Sequence, residues 1–326
     1  MDRFNVYKDM KARTNGEIYI GVVGPVRTGK STFIKRFMNL MVLPNIEDEN
    51  DRNRANDELP QSSSGKTIMT TEPKFVPNEA VSIKTEEGIE LNVRLIDCVG
   101  YMVEGATGHM EGEGERLVKT PWFDYEIPFT KAAAIGTKKV ITEHSTIGMV
   151  VTCDGSFGEI AAKQYESAEE ETIKQLKALK KPFVVLLNTI HPYSESTKQL
   201  AAEKEEKYQT KVLPMNLEQM KKEDIYEILK SVLMEFPISS IGFYVPRWTE
   251  MLKKDHPLKM ELLQMARDVI TEKTTMKDIY DEQEKEYEYI TGQKLESVAM
   301  DSGEVIITIK VGEVYYYEFL SETTGM

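Results

Sequence analysis

The sequence predicts an α/β fold: a three-layer domain with a mostly parallel sheet, followed by a smaller α+β domain. Short apolar runs alternate with amphipathic segments through residues 17–236, and this alternation gives way to another pattern after Pro237. Alternating strands and helices of these lengths are typical of a parallel sheet covered by helices. A length of 326 residues also favours more than one domain.

Composition and charge narrow the possible functions. With Lys+Arg 41 against Asp+Glu 54, the net charge of −13 argues against a broad nucleic-acid interface. Cys98 and Cys153 are the only cysteines, too few for a disulfide framework or a zinc site. No apolar run reaches the roughly 18 residues of a membrane span. Residues 1–12 are charged, unlike a signal peptide, so we expect a protein of the reducing cytoplasm.

Residues 1–16 are predicted to be a polar N-terminal leader, with a short helix from Phe4 to Lys11. The run Glu17 to Val23 is apolar and β-branched, which predicts a buried strand. A helix is predicted from Ser31 to Val42, because Phe33, Phe37, Met38 and Met41 share one helical face.

Between this strand and this helix, residues 24–31 read Gly-Pro-Val-Arg-Thr-Gly-Lys-Ser and have the spacing G-x-x-x-x-G-K-[ST]. Strand, loop and helix in this order predict a P-loop NTPase, because backbone N–H groups and the helix N-terminus can cradle a phosphate. Lys30 is predicted to reach the β- and γ-phosphates, and the Ser31 hydroxyl to bind Mg²⁺. The predicted nucleotide-binding residues of the loop are Gly24, Pro25, Val26, Arg27, Thr28, Gly29, Lys30, Ser31 and Thr32.

The run from Pro44 to Lys66 is hydrophilic and is predicted to be mobile. It ends in Gly65-Lys66-Thr67, which is not a second phosphate loop, since Pro60 stands where the first glycine is required. Thr70 and Thr71 follow, just before the next strand, where nucleotide switches place the residue that senses the γ-phosphate and completes the Mg²⁺ shell. Both threonines qualify, and ordinary strand-forming threonine is the alternative.

Two strands, Lys74 to Lys84 and Ile89 to Asp97, are predicted next, joined by a turn. Asp97 at the carboxyl end of the second strand is predicted to hold Mg²⁺ directly or through water; a capping aspartate is the alternative. Gly100 completes Asp-x-x-Gly, so its N–H can approach a γ-phosphate. Tyr101 follows where a water-positioning glutamine would stand, which predicts slow intrinsic turnover.

The segment from Tyr101 to Ser145 is long for a connection between strands, and it is predicted to be functional or to hold structure of its own. It begins glycine-rich and acidic and then becomes aromatic. A short helix and a short strand are predicted within it. Its aromatic residues are expected to pack on the core rather than form a partner surface: Trp122, Phe123, Tyr125 and Phe129.

The alternation then resumes with three strands, each followed by a helix. The predicted elements are Thr146 to Thr152, Ala161 to Lys180, Pro182 to Ile190, Ser194 to Tyr208, Thr210 to Met215 and Leu217 to Phe236. The second of these strands ends in Asn188-Thr189-Ile190-His191, where GTPases read guanine with Asn-Lys-x-Asp. Asn188 is kept as a nucleotide-site residue, but the lysine and aspartate are absent. An unpaired guanine edge loses discrimination, so the sequence predicts ATP, or a loose specificity, instead of strict selectivity for GTP.

Residues 237–326 are predicted to form the smaller α+β domain. Ile238 to Val245 is apolar, and a helix with Asp255 as its N-cap buries Leu258, Leu262, Met265, Ala266 and Val269. Three antiparallel strands are predicted to follow, at Val298 to Met300, Val305 to Val311 and Val314 to Leu320. No catalytic group is predicted in this domain.

Four segments together carry a family resemblance: GPVRTGKSTFIKRF, GKTIMTTEPKFVP, LIDCVGY and IGTKKVITEHSTIGMVVTCDGS. The chain resembles the stage IV sporulation protein A family, the spore-coat morphogenetic ATPases of endospore-forming bacteria, which are similar to translation-factor GTPases. The resemblance implies ATP and Mg²⁺ as cofactors. It also implies that Lys30, Ser31, Asp97 and the pair Thr70 and Thr71 are the nucleotide-site residues.

The same resemblance implies that ATP hydrolysis drives irreversible self-assembly into the basement layer of the coat, on the outer forespore membrane in the mother-cell cytoplasm. The implied partners are further copies of the chain, other coat proteins and a small amphipathic membrane anchor, with only indirect membrane contact. Members carry a further C-terminal domain, and this sequence is expected to end before it. The alternative is a regulatory GTPase that cycles without polymerising; the missing lysine and aspartate after Asn188 favour the ATPase.

Overall fold

The computed structural model describes residues 5–60, 72–106, 109–111, 114–157, 160–280 and 285–324. These residues divide into two compact units, Asn5–Leu233 and the chain from Met234 onward. Across the described ranges, no helix has the length and apolar character needed to cross a membrane.

The first unit alternates strands and helices. Its strands are β1 (Glu17–Val23), β2 (Lys74–Lys84), β3 (Glu90–Asp97), β4 (Met110–Glu111), β5 (Gly114–Glu115), β6 (Leu117–Thr120), β7 (Phe123–Pro128), β8 (Ile147–Cys153), β9 (Phe183–Asn188) and β10 (Val212–Met215). Its α-helices are α1 (Val6–Arg13), α2 (Lys30–Phe37), α3 (Glu49–Asp57), α4 (Phe129–Lys139), α5 (Ala162–Ala178), α6 (Glu195–Tyr208) and α7 (Lys222–Met234).

A six-stranded sheet with the order β10-β9-β8-β1-β3-β2 forms the centre of this unit. Its neighbouring strands pair in parallel except for β2 and β3, which pair in the antiparallel direction. Every residue of β8 and β9 is buried, as expected for central strands of a parallel sheet covered on both faces. The predicted α/β fold with a mostly parallel sheet is confirmed.

Helix α2 follows the phosphate loop and buries Phe33, Ile34 and Phe37, as the apolar periodicity predicts. The sequence predicts one continuous helix as far as Val42. Instead, the last part, Met38–Val42, is a turn of π-helix that buries Met38, Met41 and Val42. The wider turn keeps all three apolar side chains in the core.

Within the run from Pro44 to Lys66, which is predicted to be mobile, residues 49–57 form α3. The Asp48 carboxylate caps this helix by accepting hydrogen bonds from the N–H groups of Asn50 and Asp51. Ala55 is its one buried residue, so the cap and a single small contact hold a very polar helix. Residues 61–71, which include Gly65-Lys66-Thr67, Thr70 and Thr71, lie outside the described residues.

The long connection after Tyr101 holds the pairs β4–β5 and β6–β7, then α4. Phe129 is buried, with the Arg116 guanidinium 4.4 Å from its ring centroid. The prediction of core packing is wrong for Tyr125, which is 59% exposed. Trp122 and Phe123 are only partly buried. The two-stranded β6–β7 ribbon offers little apolar surface to cover them.

The second unit is a three-stranded sheet with helices. Its elements are β11 (Ser240–Tyr244), α8 (Pro257–Glu272), β12 (Ile290–Ala299), β13 (Glu304–Val311) and α9 (Glu313–Thr324). The sheet order is β11-β13-β12, in which β12 and β13 are antiparallel and β11 and β13 parallel. Helix α8 buries Leu258, Leu262, Met265 and Val269, as predicted, whereas Ala266 is only partly buried.

Two local predictions for this unit are wrong. The stretch from Val314 to Leu320 is helical rather than a strand, because a helix brings Tyr316 and Phe319 together onto Trp248, with ring centroids 5.7 and 5.5 Å away. The N-cap of α8 is His256 and not Asp255, since the His256 Nδ1 accepts the hydrogen bond from the Leu258 N–H.

A buried ion pair joins three elements of the first unit. Glu169 on α5 is fully buried and accepts hydrogen bonds from Lys204 Nζ on α6 at 2.7 and 2.9 Å. Its Oε2 also accepts from the Thr152 hydroxyl on β8 at 2.6 Å. Removing one partner of such a pair leaves a buried charge uncompensated.

We therefore predict that Lys204→Met lowers the free energy of unfolding by about 3–5 kcal/mol in urea denaturation. Adding Glu169→Gln to this variant is expected to recover most of the loss, because the remaining amide can still bond to Thr152. Lys198→Met, which breaks an exposed pair with Glu195, is the control and should cost less than about 1 kcal/mol. Equal losses in Lys204→Met and Lys198→Met would contradict the prediction.

Candidate nucleotide site

The carboxyl edge of the central sheet brings the predicted site residues of the first unit together. The loop of residues 24–29 follows β1 at this edge, and the register pairs Val22 of β1 with Asp97 of β3. Asn188 ends β9, paired with Cys153 of β8. In parallel sheets ligands bind at this edge, so its geometry decides what the chain can hold.

The phosphate loop is folded tightly onto itself. Pro25, Val26 and Thr28 are buried, and the Thr28 hydroxyl donates to the Pro25 carbonyl at 3.0 Å. Gly29 begins α2 in the left-handed region, with φ of 99°. A side chain there would also meet the Asn188 amide nitrogen, 2.6 Å from a Cβ. The second glycine of the motif is therefore required both by its φ and by space.

Arg27 and Thr32 lie at the accessible side of the loop. Arg27 is exposed and has a φ of 60°, a left-handed conformation that is uncommon outside glycine. Thr32 is partly buried in the first turn of α2.

Lys30 is buried beneath the loop. Its ammonium group donates to the Pro25 carbonyl at 2.5 Å and lies 3.4 Å from the Gly24 carbonyl. Burial lowers the pKa of Lys30, and the nearby Cys98 and Asp97 oppose this effect. The loop therefore holds a cation that is solvated by its own backbone.

Asp97 and Ser31 meet beside this cation. The Ser31 hydroxyl donates to Asp97 Oδ2 at 2.7 Å, and Ser31 itself is exposed. Burial raises the pKa of Asp97, while the Ser31 hydrogen bond and the Lys30 charge act in the opposite direction. Asp97 Oδ1 is buried and has no hydrogen-bond partner among the described residues. A hydroxyl and an unpaired carboxylate oxygen fit Mg²⁺, which prefers oxygen ligands.

Gly100 closes the site from the side of β3. Its φ is 92°, and a Cβ there would overlap the Gly24 carbonyl oxygen and lie 2.7 Å from Lys30 Nζ. The next residue, Tyr101, is bridged to Pro25, and its carbonyl accepts from the Val26 N–H at 3.0 Å. The Asp-x-x-Gly segment is thus bound directly to the phosphate loop.

The Tyr101 side chain packs with a core cluster that includes Val26, Cys153 and Tyr165. Burial raises the pKa of Tyr101 to about 12, with Gln175 and Glu171 of α5 nearby. Its phenol group therefore serves as a packing group on the α5 side, and not as a substitute for a water-positioning glutamine.

Asn188 braces the loop from the other side. Its amide nitrogen donates to the Thr28 carbonyl at 3.0 Å, and its oxygen accepts from the Leu217 N–H at 3.2 Å. Thr189, the next residue, donates its hydroxyl to Asp154 Oδ2 at 2.6 Å. Asp154 is not among the residues predicted from the sequence, although it follows β8 directly, at the same edge of the sheet where Asp97 ends β3.

The structure therefore brings together the loop, Lys30, Ser31, Asp97, Gly100 and Asn188. Thr70 and Thr71 lie outside the described residues, so their predicted roles stay predictions.

The chain is similar to one family of known proteins along its whole length. The ATPase domain of stage IV sporulation protein A matches residues 1–237, and the middle domain of the same protein matches residues 238–326. The chain belongs to the stage IV sporulation protein A family.

Three relatives of this name support the assignment. Stage IV sporulation protein A from Bacillus anthracis is 45% identical over 100% of this chain and 67% of its own length. The Clostridioides difficile (strain 630) protein is 48% identical over 98% of this chain and 66% of its length. The Bacillus subtilis (strain 168) protein is 44% identical, over 100% and 67%. The chain thus spans about two thirds of the length of these stage IV sporulation proteins.

Solved structures of SsGBP are also similar to the chain, among them a complex with GDP. That complex matches 67% of this chain and 49% of its own at 13% identity, with a TM-score of 0.37. The likeness is too weak to bear on function.

The close contact at Gly100 gives a direct test of the site. We predict that Gly100→Ala weakens Mg·ATP binding at least about tenfold, because the added methyl group must displace either the Gly24 carbonyl or the Lys30 ammonium. Isothermal titration calorimetry measures the change. Gly292→Ala, where no atom lies within 4 Å of the new methyl group, is the matched control. Wild-type affinity in Gly100→Ala would show that the loop and this segment are not packed as described.

Proposed function

We propose that this chain binds Mg·ATP at the phosphate loop and hydrolyses its γ-phosphate. The observation that carries the proposal is the contact between Ser31 and Asp97 beside the buried Lys30, at the carboxyl edge of the sheet. A cation, a hydroxyl and a carboxylate meet there next to a helix N-terminus. This combination suits a triphosphate with its metal ion.

The loop binds the phosphates in this proposal. Backbone N–H groups from Arg27 to Thr32 surround the β-phosphate, and Lys30 moves from the Pro25 carbonyl to bridge the β- and γ-phosphates. The exchange is favourable because a buried ammonium group gains an opposite charge in place of carbonyl dipoles.

Mg²⁺ bound here would neutralise charge on the β- and γ-phosphates. Ser31 would ligate it through the hydroxyl oxygen, and Asp97 would coordinate it directly or through a water molecule. Asp97 Oδ1 has no partner within the described part of the chain and supports this role, since a buried oxygen without a partner is costly unless a ligand completes it. We propose Thr70, which precedes β2 in the sequence, as a further ligand of Mg²⁺.

The hydrolytic step in this proposal uses few groups. The Gly100 N–H donates to the γ-phosphate, and Thr70 or Thr71 orients the attacking water. Arg27, exposed at the loop, stabilises charge as the bond breaks. Turnover is slow, because Tyr101 packs in the core instead of holding the water.

ATP is preferred over GTP in this proposal. His191 stands where a GTPase would place the guanine-reading carboxylate, and Thr189 replaces the lysine. The exocyclic amine and ring N–H of guanine therefore lack their usual acceptor, which removes the main source of selectivity for GTP.

We further propose that hydrolysis is coupled to self-assembly during sporulation. The family assignment and the ATPase-domain match support a sporulation ATPase. The proposed product is a static polymer on the outer forespore membrane in the mother cell, the basement layer of the coat. Its proposed partners are further copies of the chain, other coat proteins and a small amphipathic membrane anchor. A regulatory GTPase that cycles without assembling is the competing function.

Turnover and assembly can be measured together. We predict that wild type hydrolyses ATP faster than GTP and sediments after hydrolysis, and that Lys30→Ala lowers ATP turnover about 100-fold or more and stays in the supernatant. Lys35→Ala removes an exposed lysine of the same helix and is the control, with wild-type behaviour expected. Faster GTP turnover without sedimentation would favour the regulatory GTPase, and normal turnover in Lys30→Ala would refute the site.

A further inference from the structure

We propose that Asp154 and Thr189 are positioning residues for the adenine base: their hydrogen bond fixes the segment 189–191 (the base segment) against which the base binds. The inference rests on the proposed function, because it concerns the same ATP. It extends that function by assigning a role to Asp154, which follows β8, whereas the base segment follows β9.

Both carboxylate oxygens of Asp154 accept hydrogen bonds from nearby residues. Its Oδ2 accepts from the Thr189 hydroxyl at 2.6 Å, and its Oδ1 accepts from the Ser156 N–H at 2.9 Å. Thr189 is fully buried. A charged acceptor with a buried hydroxyl donor makes one of the stronger hydrogen bonds available to a loop. Both oxygens are used, so Asp154 acts on the base segment rather than as a replacement for the missing guanine-reading carboxylate.

The rest of the base segment is tied down through the same contacts. Thr189 Oγ1 also accepts from the His191 N–H at 3.1 Å, and Ser156 Oγ accepts from the Ile190 N–H at 3.1 Å. The backbone of both residues after Thr189 is therefore fixed by the connection that follows β8. The side chains of Ile190 and His191 remain exposed at the sheet edge, free to meet a ligand.

The opposite side of the base segment is anchored to the phosphate loop. Asn188 donates to the Thr28 carbonyl, and the Thr189 N–H donates to the Met215 carbonyl at 3.0 Å. The base segment thus directly follows Asn188, which is bound to the loop, and Asp154 holds it to the connection after β8. Because the base segment is held at both sides, it loses little conformational entropy when a ligand binds. This small entropic cost favours binding of the adenine base.

Different hydrogen bonds hold the base segment and the phosphate loop. The hydrogen bonds of Asp154 go to Thr189 and Ser156, whereas the loop residues from Gly24 to Ser31 are organised by Lys30, Asp97 and Gly100. Loosening the base segment should therefore weaken binding of ATP but not of a ligand that has only phosphates. Inorganic tripolyphosphate is such a ligand.

The test compares the affinities of Mg·ATP and Mg·tripolyphosphate by calorimetry. In Thr189→Val, which keeps the shape and removes the hydroxyl, we expect ATP affinity to fall about tenfold and tripolyphosphate affinity to stay at the wild-type value. The KM for ATP should rise with little change in kcat. Thr189→Ser restores the hydroxyl and should restore ATP affinity.

Two further variants keep the result interpretable. Thr172→Val removes another buried threonine hydroxyl, one that bonds only to the Ala168 carbonyl within α5, and should leave both affinities unchanged. Ser156→Ala removes the tie to Ile190 without altering a fully buried residue, and it should reproduce a smaller loss specific to ATP. It serves if Thr189→Val does not fold, as judged by circular dichroism.

The inference is overturned if Thr189→Val or Ser156→Ala leaves ATP affinity unchanged, or if the affinities for ATP and tripolyphosphate fall together. Failure of the proposed function gives a different result: wild type then binds neither ligand, or Lys30→Ala binds both as well as wild type does.

Discussion

The burial of the Lys30 ammonium beneath the loop is the constraint on which the rest of the site depends. A buried cation is costly unless polar groups surround it, and here the carbonyls of Gly24 and Pro25 do so. This requirement explains the tight loop, the glycine at position 100 against the amine, and the bridge between Tyr101 and Pro25. It also places a positive charge near Asp97, whose Oδ1 has no hydrogen-bond partner among the residues that the structure describes. The cation of Lys30 and the carboxylate of Asp97 thus lie near each other. A phosphate could pair with the first and a metal ion with the second.

The parts of the site that could be predicted from sequence are those fixed by local spacing. Strand β1, the loop and α2 are consecutive, and Asp97 ends an apolar strand, so motif and periodicity were sufficient. Asp154 was missed because its partner Thr189 follows a different strand, and only the parallel pairing of β8 and β9 brings the two together. The same limit applies to the loop-bracing role of Asn188, which depends on a contact with Thr28 far away in the chain.

Errors in the fold prediction have a related cause. Helix α3 has almost no apolar residues, so its sequence shows no helical periodicity. Its Asp48 cap can be recognised only once the helix is known. Helix α9 contains three consecutive tyrosines, which favour a strand by propensity, yet stacking of Tyr316 and Phe319 on Trp248 selects the helix. In both cases a tertiary contact or a cap outweighs the local preference. The central sheet was predictable because its strands are largely apolar and, apart from β2 and β3, alternate with helices.

In the proposed function, two sets of contacts at one sheet edge have separate roles: the loop, Lys30 and Asp97 bind the phosphates and the metal, and the segments after β8 and β9 bind the base. A crystal structure with Mg²⁺ and a non-hydrolysable ATP analogue tests this account most directly. We predict the γ-phosphate within hydrogen-bonding distance of Lys30 Nζ and the Gly100 N–H, the metal beside Ser31 and Asp97, and the adenine against residues 189–191. Phosphates bound away from the 24–31 loop, or a metal ion held without Ser31 and Asp97, would contradict it.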